Sequence, residues 1–525
     1  MVFLNLRSVQ IKQQTGFLLV KVLYFHTKIF RMEVCSASII CTVFNASFPV
    51  CTFMNTLIWF VVLYWIISVG IGIYAARYVR NSKDYAIAGR SLPMSVVTAT
   101  VFATWFGSEA VLGIPATFVK DGFTGVIADP FGSAMCLVLV GILFAKRLYR
   151  MNLMTISDYY RNRYGRTVEV IVSLCIVISY LGWVAAQIKA LGLVFNVISG
   201  GVISMNVGMV IGSVSVLVYT LMGGMWSVAI TDFLQMIIIV IGILYIGWEV
   251  SGMVGGADVV IRHAAEAGKL RIYPKPELRD ILWFFGAWIT LMFGSMPQQD
   301  VFQRVASSKN ENVARNASVV GGIFYLLFAL VPMFLCYAAT LVDPSLVEQY
   351  IDQDSQMILP VMIMTYMPVF AQVMFFGALL SAIKSCASAT LLAPSVTFSE
   401  NVMKEMFPNL TDKQSLSMMR VVVLVFAGIV TIFAMNTDSS IFEMVENAYK
   451  ITLVAAFVPL IFGFFWKYAN NRGALTSIVF GLAAWVLMEI VCPDGVCPPQ
   501  LVGFGMSIIG MVAGSLFSGR TGKAA

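Results

Sequence analysis

The stretch Gly377–Pro394, GALLSAIKSCASATLLAP, sets a lysine, Lys384, among small hydroxyl, thiol and alanine residues inside an apolar run long enough to be a membrane helix. Small polar residues let helices approach closely and can offer oxygens to a bound ion, whereas an ammonium at that depth is costly and marks function. The chemistry indicated is an ion site beside a fixed cation. Other groups of the same kind lie in apolar runs. Glu109 and Asp129 are placed to line a substrate cavity or attract a cation, Asp232 follows a Gly-Gly turn, and Trp105 and Trp183 sit in mid-run. Lys189, Glu443, Glu446 and Lys450 read as helix-end or salt-bridged groups. Enzyme chemistry finds no support. The only histidines are His26 and His263, neither in a core helix, and there is no HExxH, no paired histidines for haem and no glycine-rich phosphate cradle.

The elements that must position these groups are membrane helices. In 525 residues the hydrophobic fraction is 59% and the charged fraction 12%, against roughly 25% charged in soluble domains, and mean hydropathy is +0.86. Apolar runs able to cross a bilayer occur near 56–77, 93–118, 123–145, 168–197, 203–221, 228–249, 280–302, 318–341, 370–398, 418–435, 440–466, 474–491 and 500–517. The reading is all-α and polytopic, with about thirteen transmembrane helices in one domain over 54–518. Residues 1–53 read as an extension upstream of a second start at Met54, with a further helix at 34–53 as the alternative, and 519–525 as a cytoplasmic tail.

Charge orients the chain. The connections 77–90, 146–166, 304–315, 404–420 and 467–472 and the tail with Arg520 and Lys523 are rich in Lys and Arg and so face inward, as does the short uncharged connection 222–227. On the other side 343–356 carries acids and no Lys or Arg, and 251–280 is a longer mixed loop that weighs less. The net charge of +7 is therefore a topology signal spread over separate loops, which argues against nucleic acid as a partner. An integral protein of an inner or plasma membrane is expected, with membrane lipid around it and no obligate protein partner evident. Of nine cysteines, Cys492 and Cys497 share an outward loop, CPDGVCPP, where either a disulfide or two free thiols fit.

Two runs are interrupted. The first is broken at Gly107-Ser108-Glu109 and again at Gly113-Ile114-Pro115, the second at Gly294-Ser295-Met296-Pro297. A kink would explain either alone. Because the two breaks begin corresponding five-helix blocks, 93–249 and 280–466, they fit an inverted repeat with a transport site between the broken helices.

In order along the chain come Asp84-Tyr85 with Ala88-Gly89-Arg90-Ser91-Leu92-Pro93, Thr155-Ile156-Ser157-Asp158-Tyr159-Tyr160 with Arg163-Tyr164-Gly165, Tyr219-Thr220-Leu221-Met222-Gly223-Gly224-Met225-Trp226 with Thr231-Asp232 and Gln235, and Gln303-Arg304-Val305. Together these resemble the sodium:solute symporters over about 56–518. The resemblance implies a leucine-transporter-type fold and a sodium site between the first and eighth core helices. It places the backbone carbonyls of Ala103, Phe106 and Ala382 and the side chains of Ser385 and Cys386 at the ligand positions, and associates Asp232 with sodium release. The chain departs from the family at Cys386, where a Ser or Thr hydroxyl is usual. Sodium is a hard cation and a thiol a soft ligand, so sodium affinity is expected to suffer.

Lys384, one position before Ser385, either reaches the ion site or points to the adjacent helix. If it reaches the site, its ammonium stands in for sodium and proton coupling replaces sodium coupling; otherwise it pairs with a carboxylate such as Glu109 or with helix carbonyls. Among branches of the family the choline-type carriers are most similar, through Ala103-Thr104-Trp105, Trp183-Val184-Ala185-Ala186 and Pro297 ahead of Gln303-Arg304-Val305. Trp105 and Trp183 would retain part of a quaternary-ammonium cage, whereas two further aromatic positions of that branch are Ser133 and Gln298 here. The expectation is an ion-coupled symporter, not an enzyme, that takes choline or a related small amine. Sodium, or alternatively the proton, is its coupling ion, and no other cofactor is expected. A transporter-shaped sensor working with a separate signalling partner is the alternative.

Overall fold

The structure, a computed structural model, describes residues 48–407 and 409–517. Most of the proposed 1–53 extension and the 519–525 tail lie outside these residues. The first described helix is Phe48–Ala75, and the site residues all belong to the unit Val61–Ala525.

Among the described residues the fold is helical, with a single isolated backbone bridge between Leu92 and Ser308. Ten helices are long and apolar enough to cross a membrane, and an eleventh crossing is the bent pair Met94–Trp105 and Glu109–Gly125. Met205–Met253, at 49 residues, would be about 74 Å long if straight, far more than one crossing needs. It is interrupted at Gly224 (φ 48°, ψ −135°) and so forms two crossings. Leu278–Gly294 and Gln299–Ser307 form one more broken crossing. Ten helices, or eleven with the bent pair, pass as membrane-crossing by length and composition, against about thirteen expected; the difference falls on Met205–Met253, divided at Gly224, and on the pair Leu278–Gly294 and Gln299–Ser307. The uncharged connection expected over 222–227 is only a sharp turn, since helix resumes directly after Gly224.

Both expected breaks are present. The first core helix stops at Trp105, Phe106 leaves helical geometry (φ −92°, ψ 70°), and the two halves meet at 58°. It continues to Gly125, past the expected end at 118, and the second core helix starts at Ile127 with a wide turn in which Asp129 is extended. The sixth core helix stops at Gly294 and resumes at Gln299. A Cβ at Gly294 would lie 2.5 Å from the Tyr449 carbonyl, so glycine lets this break pack against the tenth core helix, Ile441–Phe465. Each block has five crossings. Because five is odd, the second block begins on the opposite side of the membrane from the first, and the repeat is inverted.

Burial separates core from periphery. Of the most apolar window of the eighth core helix, Val369–Met403, 72% is buried, against 22% for Asn471–Val491. The eighth helix is enclosed because its small residues admit close neighbours: a Cβ at Gly242 would lie 2.8 Å from Ala378 Cβ and 2.9 Å from the Met374 carbonyl. The peripheral helices instead present Leu424, Ile429, Ile432, Leu487 and Ile490 outward, as lipid contact requires. The loop over 251–280 contains a short amphipathic helix, Ala257–Glu266, whose His263 meets the Tyr337 hydroxyl at 3.0 Å, away from the breaks.

Candidate transport site

The break in the first core helix is held open by the third, Arg166–Ile198. Gln187 Oε1 accepts the Ser108 amide at 2.9 Å, and Gln187 Nε2 donates to Glu109 Oε2 at 2.7 Å. Trp183, one turn earlier on the same face, donates its Nε1–H to Glu109 Oε1 at 3.2 Å. Glu109 is 1% exposed, and no Lys or Arg lies within ion-pair distance of it among the described residues. Asp129, also buried and without a cationic partner among the described residues, accepts the Tyr325 hydroxyl at 2.6 Å. Two buried carboxylates without cations are expensive unless a proton, an ion or a cationic ligand compensates them.

Aromatic rings adjoin these carboxylates. Trp105 is 5.6 Å from Trp183 and 6.1 Å from Tyr449, and Trp183 is 5.4 Å from Tyr449, which makes a closed triangle of ring centroids. Tyr325 is 6.5 Å from Trp105. Sequence reasoning found Trp105, Trp183, Glu109 and Asp129 but missed Gln187, Tyr325 and Tyr449. The i, i+4 spacing of Trp183 and Gln187 was a usable signal, whereas the two tyrosines come from distant helices and gave none.

Gln298 sits in the sixth-helix break and donates Nε2–H to Ser179 Oγ at 2.9 Å and Thr452 Oγ1 at 3.3 Å; its Oε1, fully buried, has no hydrogen-bond partner. Beside it, Asp300 accepts the Tyr180 hydroxyl. Arg304 donates to the Asp300 carbonyl at 3.1 Å and to Thr104 Oγ1 at 2.7 Å. The two broken helices are thus joined through Arg304, a residue noted in the sequence only as part of a motif.

The residues expected around sodium, Ala103, Phe106, Ala382, Ser385 and Cys386, are all fully buried. Ser385 donates its hydroxyl to Asp232, and Thr100 donates to the other oxygen of the same carboxylate. Asp232 and Ser385, expected in separate roles, are therefore direct partners. Cys386 Sγ lies 4.0 Å from Glu109 Oε1, with Gly107 between them: a Cβ on Gly107 would meet Glu109 Oε2 at 2.7 Å and Cys386 Sγ at 2.8 Å. Among the described residues no three His, Cys, Asp or Glu gather as a transition-metal site would require. The donor set suits a hard alkali cation held by oxygens.

Lys384 is apart from this group. Its ammonium, 1% exposed, lies 5.4 Å from the Tyr64 ring centroid and 5.7 Å from that of Tyr219, with no hydrogen-bond partner among the described residues. The Tyr219 hydroxyl donates to the Lys384 carbonyl at 3.0 Å, and the Tyr64 hydroxyl accepts from Ser381 at 2.8 Å. Lys384 thus takes the second of its two expected directions, toward adjacent helices, and the carboxylate pairing with Glu109 is not formed. In the loop over 492–499, Cys492 and Cys497 are both free, so of the two states considered for that loop the disulfide is absent. Burial pushes the Cys497 thiol up from its ordinary value.

A helical membrane bundle of two inverted repeats, each opening with a broken helix that contributes to a buried polar and aromatic site, defines a secondary transporter. The chain belongs to the sodium:solute symporter family, whose model matches residues 85–481. High-affinity choline transporter 1 of Caenorhabditis elegans is 26% identical over 446 residues, covering 80% of this chain and 76% of that protein. Its Homo sapiens counterpart is 26% identical over 443 residues, covering 80% and 75%. The sodium/pantothenate symporter of Escherichia coli (strain K12) is 23% identical over 436 residues, covering 80% and 88%. A substrate-bound, outward-open Na+-coupled sialic acid symporter superposes with a TM-score of 0.75 at 18% identity, covering 90% of this chain and 99% of the other. A nucleobase-cation-symport-1 family transporter in a closed conformation gives 0.56 at 13% identity, covering 85% and 98%. The fold is the leucine-transporter-type inverted repeat, and the protein is a sodium-coupled solute symporter embedded in a membrane, not an enzyme.

Proposed function

We propose that the protein imports choline or a closely related small amine, driven by sodium, with the substrate cation bound at the Trp105, Trp183 and Tyr449 rings next to Asp129 and Glu109. The observation that carries this reading is the aromatic triangle beside two buried carboxylates that have no cationic partner. Ring faces attract a desolvated cation by about 2 kcal/mol or more, and the carboxylates supply the compensating charge. The similarity to choline transporters supports the substrate class. Gln298, in the sixth-helix break, has a buried carbonyl oxygen with no hydrogen-bond partner among the described residues, which suits a hydroxyl donor on the substrate. The Lys- and Arg-rich connections face the cytoplasm, and with them the C-terminal tail, in an inner or plasma membrane.

The test is uptake of labelled choline by purified protein in liposomes, under an imposed sodium gradient or an imposed proton gradient, with Lys384→Ala in parallel. Sodium-driven uptake that survives in Lys384→Ala is expected, because the ammonium faces Tyr64 and Tyr219 and not the ion residues. Proton-driven uptake abolished in the variant would make Lys384 the coupling group and overturn sodium coupling. No choline uptake under either gradient would overturn the substrate.

A further inference from the structure

The sodium position implied by the sequence lacks one hard ligand, because Cys386 supplies sulfur where an oxygen is needed. The structure brings a carboxylate to that position. Glu109 Oε1 is 4.0 Å from Cys386 Sγ, and the two side chains converge over Gly107, where a Cβ would lie 2.7 Å from Glu109 Oε2 and 2.8 Å from Cys386 Sγ. Two oxygens on one hard cation, each at roughly 2.4 Å, lie roughly 3–4 Å apart, so an oxygen at residue 386 would stand at ligand spacing from Glu109 Oε1, to which the Cys386 thiol donates across 4.0 Å. Ser108, in the same break, has a fully buried hydroxyl with no hydrogen-bond partner among the described residues, a further oxygen available there. The backbone leaves helical geometry at Phe106, directly ahead of Gly107. Trp183 and Gln187 each donate one bond to an oxygen of the carboxylate. They thereby set its direction, and each oxygen keeps lone pairs for an ion.

We infer that Glu109 is a direct sodium ligand that replaces the hydroxyl missing at Cys386, and that it serves the ion as well as lending charge to the neighbouring substrate position. This rests on the sodium-symport reading but not on choline as the substrate. A carboxylate brings a full negative charge where a hydroxyl brings none. The site therefore holds its sodium by charge, and a soft residue at 386 is tolerated as a filler.

The experiment is direct binding of 22Na+ to purified protein without organic substrate, in wild type, Glu109→Gln, Cys386→Ser and the double variant, each first shown to be monodisperse. Glu109→Gln is expected to weaken sodium binding at least tenfold, and Cys386→Ser in that background to recover most of the loss by restoring a hydroxyl. If Glu109→Gln does not fold, Glu109→Asp serves. It keeps the charge but withdraws it by one methylene, and weaker sodium binding that Cys386→Ser rescues supports the assignment equally. Unchanged 22Na+ binding in a folded Glu109 variant overturns it, as does a loss that Cys386→Ser does not rescue. Wild-type protein that binds sodium but carries no choline refutes the substrate alone, and a Glu109→Gln loss of 22Na+ binding in the same preparation supports the ligand assignment regardless.

Discussion

Gly224→Ala tests whether the break between the fourth and fifth core helices is required by the backbone or is an incidental kink. Gly224 has φ 48° and ψ −135°, a region closed to residues with a Cβ. Forcing alanine there costs about 1–3 kcal/mol in backbone strain. The new Cβ would also lie 2.4 Å from the Tyr85 carbonyl oxygen and 2.6 Å from Tyr85 Cδ2, well inside ordinary contact. Tyr85 cannot yield, being fully buried with its hydroxyl on the Thr220 carbonyl at 3.0 Å. Overpacking of this kind adds about 1–3 kcal/mol. The total, about 4 kcal/mol, corresponds to nearly a thousandfold in the folded-to-unfolded ratio. The assay is melting of detergent-solubilised protein followed by size-exclusion chromatography, with Gly428→Ala as control. Gly428 is helical with nothing within 4 Å of its would-be Cβ, so alanine there is expected to be neutral or stabilising by about 0.5–1 kcal/mol. A Gly224→Ala protein that melts with wild type would refute the argument.

Two further outcomes follow from the site and the topology. Trp183→Phe keeps a ring against Trp105 and Tyr449 but removes the Nε1 donor to Glu109, whereas Trp183→Leu removes both. Half-saturating choline should rise a few-fold in the first and about thirtyfold in the second, the equivalent of about 2 kcal/mol of cation–π attraction; equal values in the two variants would take the ring out of substrate binding. In right-side-out vesicles a membrane-impermeant maleimide should label exposed Cys492 quickly at neutral pH, and Cys497 slowly and faster as pH rises, because burial disfavours its thiolate. Labelling of Cys492 only after the membrane is permeabilised would invert the proposed orientation.

The sequence by itself determined the crossings and the breaks. Apolar runs of bilayer length leave few alternatives once every backbone polar group must be satisfied within lipid, and Gly107-Ser108 and Pro297 interrupt helices for local reasons that need no tertiary contact. It also singled out Trp105, Glu109, Asp129, Trp183 and Asp232 as candidates, because a polar or aromatic group inside such a run is conspicuous. It did not show that the helices over 203–221 and 228–249 join at one glycine, since a left-handed residue leaves no hydropathy signal. Only the tertiary structure decided which way side chains point on helices apolar all round. The eighth core helix is enclosed on every face, so periodicity carries no direction, and Lys384 turns to Tyr64 and Tyr219 while Cys386 turns to Glu109 because of which helices lie on each side. For the same reason Tyr325, Tyr449 and Arg304 join the site only through packing: each is far in the chain from its partners, and no local pattern encodes a contact between distant helices.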